Sequence, residues 1–162
     1  MIAVVQRCRS ASVRVAGEIV GQLRGPCGLV VLLGVEVGDT ADQADRMAHK
    51  LAKLRIFEDP NGKMNLALPD VGGSLLVISQ FTLLGDCSGG NRPSFVRAAR
   101  PEHAEPLFER CVAQLRASQL PVETGRFRTD MKVELLNDGP VTLVVHIPPE
   151  AQRTGEELPD GS

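Results

Sequence analysis

Residues 28–35 read GLVVLLGV, without one polar side chain. A strand made of them has no face fit for water. It must lie inside a sheet that is covered on both sides. The run falls well short of the ~18 apolar residues that signal a membrane span. No longer run occurs elsewhere, so no membrane association is expected. A chain of 162 residues suits one domain, and one of that size buries roughly 68–70% of its unfolded surface, enough to cover such a strand. With five Phe and neither Tyr nor Trp, the core must come from Val, Leu, Ile and Ala.

Strand patterns and two helices surround this run. Residues 2–7 read as a first strand. Residues 11–15 alternate Val13 and Val15 with Ser12 and Arg14, a half-buried strand that turns at Ala16-Gly17-Glu18 into residues 19–23. Thr40 with Gln43 makes a capping box for a helix whose apolar stripe is Ala44, Met47, Ala48, Leu51 and Leu54. Residues 55–58 read as a short strand, Pro60-Asn61-Gly62-Lys63 as a turn, and residues 68–73 as a loop. Residues 74–83 (SLLVISQFTL) form another strong strand, with polar residues gathered at its far end. Residues 85–93 are a Gly-rich loop. Pro101 then opens a second helix with a stripe of Ala104, Leu107, Phe108, Cys111, Val112 and Leu115; Pro106 is placed to delay its start. An extended piece (121–124), a loop (125–130) and two strands (131–136 and 141–147) complete a domain over residues 1–147. Residues 148–162 read as a flexible tail. The order β-β-β-α-β-β-α-β-β indicates an α+β fold: a single domain, with an antiparallel or mixed sheet curled toward a barrel and two main helices.

The last two strands are separated by Asn137-Asp138-Gly139-Pro140. Asn-Asp-Gly alone reads as a tight hairpin turn. Pro140 lacks the N–H that a strand ladder uses, and X–Pro peptides are where cis bonds occur. Taken alone, these residues favour an ordinary turn with a trans proline. Familiar catalytic patterns are missing. Cys8, Cys27, Cys87 and Cys111 are scattered, with no CxxC pair, which argues against a zinc site; the cytoplasm, with reduced thiols, is the default placement. The N-terminus lacks the basic-then-apolar layout of a signal peptide. His49, His103 and His146 stand apart, each read as structural or solvated. No nucleophile elbow, dinucleotide fingerprint or phosphate loop occurs, and neither metal nor cofactor is expected. A net charge of −2 means that any nucleic-acid contact must use a local patch; Arg92, Arg97 and Arg100 are candidates, with a solvated surface as the plainer reading. Ser79-Gln80-Phe81-Thr82 closes a buried strand, where polar residues can line a pocket and released N–H groups can hold an oxyanion. From spacing alone the plainer arrangement is favoured, with Ser79 and Thr82 facing solvent and Phe81 packed.

Read together, several blocks resemble the D-aminoacyl-tRNA deacylase family of the bacterial and eukaryotic type. They are Gln6-Arg7, Leu32-Leu33-Gly34-Val35, Arg55-Ile56-Phe57 with Gly62-Lys63-Met64-Asn65, Ser79-Gln80-Phe81-Thr82-Leu83, Arg92-Pro93-Ser94-Phe95, Thr124-Gly125-Arg126-Phe127 and Asn137-Asp138-Gly139-Pro140-Val141-Thr142. SQFT and GPVT are the two signatures. The match runs nearly end to end and leaves out about the last 15 residues. The 86–91 loop and the Gly25-Pro26-Cys27 turn look local to this sequence and could alter the edge of the site.

The resemblance implies a hydrolase that cleaves the ester of D-aminoacyl-tRNA, and of glycyl-tRNA, as a homodimer. Gly139 and Pro140 would form a cis peptide that enters the partner subunit's site and rejects L side chains. Arg7 would lock that partner loop by bonding a carbonyl. Ser79, Gln80, Phe81 and Thr82 would line the aminoacyl site, with the Phe81 and Thr82 N–H groups as candidate oxyanion donors. Phe127 would hold the terminal adenine. The 2′-hydroxyl of the terminal ribose would assist attack by water, with Thr82 as a covalent nucleophile ranked lower because no base is identifiable. A different class, a non-catalytic RNA-binding module, lacks any RRM, KH or dsRBD signature. A third reading, a relative that has lost its D-selectivity, is opposed by the intact SQFT and GPVT.

Overall fold

The computed structural model describes residues 1–150. In chain order the elements are β1 (Ile2–Val15), β2 (Glu18–Gln22), β3 (Gly28–Gly34), α1 (Ala41–Lys53), β4 (Phe57–Glu58), β5 (Met64–Leu66), β6 (Ser74–Ser79), α2 (Pro101–Ala117), β7 (Val122–Thr124) and β8 (Lys132–His146). Six strands form one mixed sheet in the order β2-β1-β3-β6-β7, with β8 on the other side of β1. β1 pairs antiparallel with β2, β3 and β8. The β3–β6 and β6–β7 pairs are parallel, joined by connections that contain α1 and α2. The expected α+β class with a mixed, curled sheet is what forms. β4 and β5 make a separate small hairpin.

β3 is central, as its composition requires. Leu29, Val31 and Leu33 enter the larger core beneath the helices with Met47, Leu51, Phe108 and Leu115. Val30 points the other way, into a second cluster with Cys8, Val13, Leu76 and Ile78. Truncating a residue such as Leu29 to Ala would cost about 2–5 kcal/mol in lost transfer energy and cavity. Curling brings the ends of the sheet together at Gly21. A Cβ there would sit 2.4 Å from the Thr124 carbonyl oxygen, so β7 passes β2 only because that position has no side chain.

The helices follow their sequence signals. Thr40 N–H donates to Gln43 Oε1 (2.8 Å), and the Thr40 hydroxyl oxygen accepts from Asp42 N–H (3.3 Å), completing the start of α1. α2 begins at Pro101, and Pro106 lies inside it without delaying it. Arg110 of α2 grips Asp45 of α1 at 2.7 and 2.8 Å.

Three expectations change. Residues 2–7 and 11–15 are not two strands but one of 14 residues. Residues 131–136 and 141–147 likewise form one strand, β8, and the Asn137–Pro140 segment is not a hairpin turn. Both halves of β8 face β1: Leu136 opposite Ser10 and Asn137 opposite Cys8, then Thr142 opposite Gln6 and His146 opposite Ile2. Residues 138–141 therefore stand opposite Arg7 alone, as a bulge, and the Gly139–Pro140 peptide within them is cis. The bulge is knitted by Asn137, whose Oδ1 accepts from Val141 N–H (3.1 Å) and whose Nδ2 donates to the Thr142 hydroxyl (3.0 Å). Third, the strand expected through residue 83 ends at Ser79, and Phe81–Leu84 is a 3-10 helix. A smaller 3-10 turn, Leu68–Val71, lies where a loop was expected. Of the expected tail, Pro149 is buried and the Pro148 carbonyl accepts from Gln43 Nε2 (3.4 Å). Residues 151–162 lie outside the described residues.

Candidate active site

β3 and β6 run parallel, so their carboxyl ends open side by side, the place where open α/β sheets take ligands. A cavity of about 420 Å3 lies there, within the size range of small-molecule sites. Leu33 lines it from β3 and Val35 from just past that strand, Ser79 from the end of β6, and Gln80 and Phe81 from the residues that follow it. Pro101, Ala104 and Phe108 contribute from α2, and Phe127 and Arg128 from the loop after β7.

The end of β6 determines the chemistry of one wall. Gln80 N–H still pairs with Leu33 O (2.8 Å), and Leu83 N–H donates to Gln80 O (3.3 Å) as the first bond of the 3-10 helix. The N–H groups of Phe81 and Thr82 fall between sheet and helix, ahead of the helix's own ladder. They are the kind of main-chain donor that can hold developing negative charge on a carbonyl oxygen. The Phe81 side chain is not packed away: it is 59% exposed. Its ring meets Phe95 edge-on, with centroids 5.2 Å apart. The Thr82 hydroxyl accepts from the Gln80 side-chain amide. Phe127 leans on Phe108, centroids 6.1 Å apart.

A buried polar knot forms just past the end of β3, around Glu36 and Asp39. The Met1 ammonium donates to Asp39 Oδ1 and to the Ile147 carbonyl, both at 2.7 Å. Glu36 accepts from Arg97 at 2.6 and 3.0 Å, and its other oxygen lies 3.0 Å from His146 Nε2. His103 Nε2 lies 2.8 Å from the Asp39 carbonyl. Burial pulls the Met1 ammonium below the usual range of a terminal amine, against its hydrogen bond to Asp39. Burial likewise pushes the Asp39 carboxyl up. Two histidines and Arg97, one of the three arginines considered as a surface patch, are thus engaged in bracing the fold.

Ser79, Gln80, Phe81 and Phe127 come together in the cavity, and Thr82 adjoins it. Arg7, Gly139 and Pro140 do not. Arg7 is 7% exposed; its Nε donates to the Asp138 carbonyl (3.0 Å) and its Nη1 to that of Ile56 (2.7 Å). Its guanidinium therefore anchors the bulge of its own chain, where the resemblance implied the partner's loop. Gly139 takes φ +132°, and a Cβ on it would meet Val141 at 2.8 Å and Arg7 Nη2 at 3.1 Å. Arg128 and Phe95 are functional candidates that residue patterns did not single out. Phe95 lies in a matched block, but nothing in spacing brings it to Phe81. Among the described residues no group of three or more His, Cys, Asp or Glu could hold a metal ion, and no helix is long and apolar enough to cross a membrane.

The pocket thus has main-chain N–H groups outside the ladder on one wall and an aromatic ring on another. Residues 4–146 match the D-Tyr-tRNA(Tyr) deacylase family, and the chain belongs to that family. It is 59% identical over 143 residues to a D-aminoacyl-tRNA deacylase of Symbiobacterium thermophilum, covering 88% of this chain and 93% of that one. A D-aminoacyl-tRNA deacylase of Geobacter sp. (strain M21) is 52% identical over 150 residues, covering 93% and 99%. Among solved structures, the c-Myc DNA unwinding element binding protein superposes with a TM-score of 0.83 at 38% identity, covering 91% and 99%.

Proposed function

We propose that this chain is a cytoplasmic hydrolase that cleaves the ester of D-aminoacyl-tRNA, and of glycyl-tRNA, releasing the amino acid and free tRNA. The observation that carries the reading is the end of β6, where the Phe81 and Thr82 N–H groups leave the ladder beside a cavity that also holds Phe127. The ester carbonyl accepts from those N–H groups, and the terminal adenine packs on Phe127, as unpaired bases do on aromatic rings. Water attacks the carbonyl carbon, assisted by the 2′-hydroxyl of the terminal ribose, and the bond to the ribose 3′-oxygen breaks as that oxygen takes up a proton. The protein supplies position and oxyanion stabilisation; no side-chain base is assigned to Thr82, which lines the site.

The active form is a homodimer, with the Gly139–Pro140 segment of one subunit serving the cavity of the other. Two features support this. β8 pairs only with β1 among the described residues, and a 15-residue open edge is an invitation to association. It also carries exposed apolar residues, Leu136 at 59% and Val144 at 66%. The inserted backbone carbonyls take the substrate's ammonium group. With ammonium and ester both held, a D side chain points outward and an L side chain meets backbone, which rejects by exclusion. Glycine has no side chain to exclude.

Matched D- and L-aminoacyl-tRNA, incubated with the protein and followed for ester loss, test the reading. Rapid loss of the D ester alone is expected. Equal loss of both refutes the chiral filter, and loss of neither favours a binding module. A solution mass of one chain refutes the shared site.

A further inference from the structure

Among the described residues, Arg128 is the one charged residue on the wall of the cavity. It directly follows Phe127, and its backbone is left-handed, φ +57°, a conformation glycine adopts freely and a side-chain-bearing residue does not. The loop around it is held. Gly125 N–H donates to Val77 O (3.4 Å), and the Thr129 hydroxyl donates to Arg126 O (2.9 Å). Asp130, the next acid along the chain, is engaged by Lys132 at 2.8 and 3.0 Å. Among the described residues the Arg128 guanidinium has no carboxylate partner. A conformation unfavourable to arginine therefore places an unpaired, exposed guanidinium at the rim of a pocket whose other walls are neutral.

We propose that Arg128 binds the phosphodiester that joins the terminal adenosine of the substrate to the nucleotide before it. This rests on the deacylase reading of the cavity. Phe127 takes the base; the adjoining residue meets the first negative charge of the chain leading away from it. The planar guanidinium offers paired donors that fit two phosphate oxygens, which a point charge does not. Arg128 neither activates water nor touches the ester, so it contributes to affinity for the nucleic acid and not to the chemical step.

The test compares D-aminoacyl-tRNA with the D-aminoacyl ester of adenosine, which has no phosphate, for wild type, R128Q, R128G and R128K. R128Q and R128G should lose about tenfold more kcat/KM on the tRNA than on the adenosine ester, the scale of one charge-assisted hydrogen bond, mainly through KM. Loss in R128G, which relieves the backbone, separates charge from folding. R128K should recover part of the loss. In R128Q the dependence of log kcat/KM on log salt should flatten by about 0.7, one phosphate of a single strand. Equal losses on both substrates, or no loss on the tRNA, overturn the proposal. Wild-type protein inert toward both substrates overturns the deacylase reading itself, and the subsite with it.

Discussion

Replacing Arg7 by Met keeps most of the side chain's volume and removes its donors. Two carbonyls lose their partner: Ile56 O, which is buried, and Asp138 O, which is partly so. An unpaired buried polar group costs about 1–3 kcal/mol. Ile56 should bear that in full, while water can reach Asp138 and relieve part of it. The sum is roughly 2–4 kcal/mol, a large share of the 5–15 kcal/mol that holds a typical domain. At about 2–4 °C per kcal/mol for a chain of this size, the thermal midpoint should fall by roughly 4–16 °C. Urea unfolding should report the same loss as a lower midpoint with an unchanged slope. Both belong at one protein concentration, because dissociation of a dimer would shift them. Asp138 leads into Gly139–Pro140, so the preference for D- over L-aminoacyl-tRNA should weaken too. R7K should fall between, since one compact ammonium lacks the fork that spans both carbonyls. An R7M protein with the stability and selectivity of wild type would refute this account of the bulge.

G139A should destabilise by about 1–3 kcal/mol, the scale of a side chain forced into a glycine-only backbone region, because its Cβ would lie 2.8 Å from Val141 and 3.1 Å from Arg7; wild-type urea stability would show that the bulge adapts freely. Iodoacetamide at mildly alkaline pH should label the exposed Cys87 of the native protein first, while Cys111, its thiol pushed up to about 12 by burial, reacts only on unfolding; equal rates at the two would contradict the buried core of α2. Arg110 holds the Asp45 carboxyl below the usual carboxylate range, so the pair's contribution is complete above about pH 4, the unfolded value, and fades as pH falls through the lowered folded one. Both side chains are over a third exposed, so solvent screening keeps the effect small; D45N should trail wild type slightly at neutral pH and converge with it in acid, and a gap that widens in acid would reverse the sign. T82A should keep most of its turnover on D-aminoacyl-tRNA, whereas loss to background would establish the hydroxyl as a nucleophile.

Local chemistry made the central strand and both helices legible. An uninterrupted apolar run reports burial on two faces, and the stripes of α1 and α2 repeat at helical spacing. Pairing was harder to read. Gly-Pro beside Asn-Asp has the chemistry of a turn, but the same residues serve a bulge. What decides between them is the register of β8 on β1, residues more than a hundred positions away. The end of β6 was obscured for a related reason: Phe81, Thr82 and Leu83 suit a strand, and only three-dimensional context coils them into a 3-10 turn. For the site, the residue patterns gave weak hints at SQFT and Gly-Pro, and family resemblance joined them. Arg128 left no trace, because left-handed backbone is read from glycine or asparagine, and arginine conceals it.

Register also bears on the proposal that the two signatures serve one site from different subunits. Arg7, opposite the bulge, pairs across β1 with Leu29, whereas the cavity begins at Leu33, which pairs with Ala3. The offset of four residues amounts to about 13 Å along the strand. β8 and β3 lie on opposite sides of β1, which adds roughly 10 Å across two strand spacings. Four bulged residues must run out and back, so they reach about two residues, or roughly 7 Å. Arg7 shortens that reach by tying the base of the bulge to the β1 side. A chain therefore cannot bring Gly139–Pro140 to its own Phe81. If backbone at that segment screens the substrate, the cavity it screens belongs to a second copy, and selectivity and catalysis separate on dilution in the proportion that the dimer does.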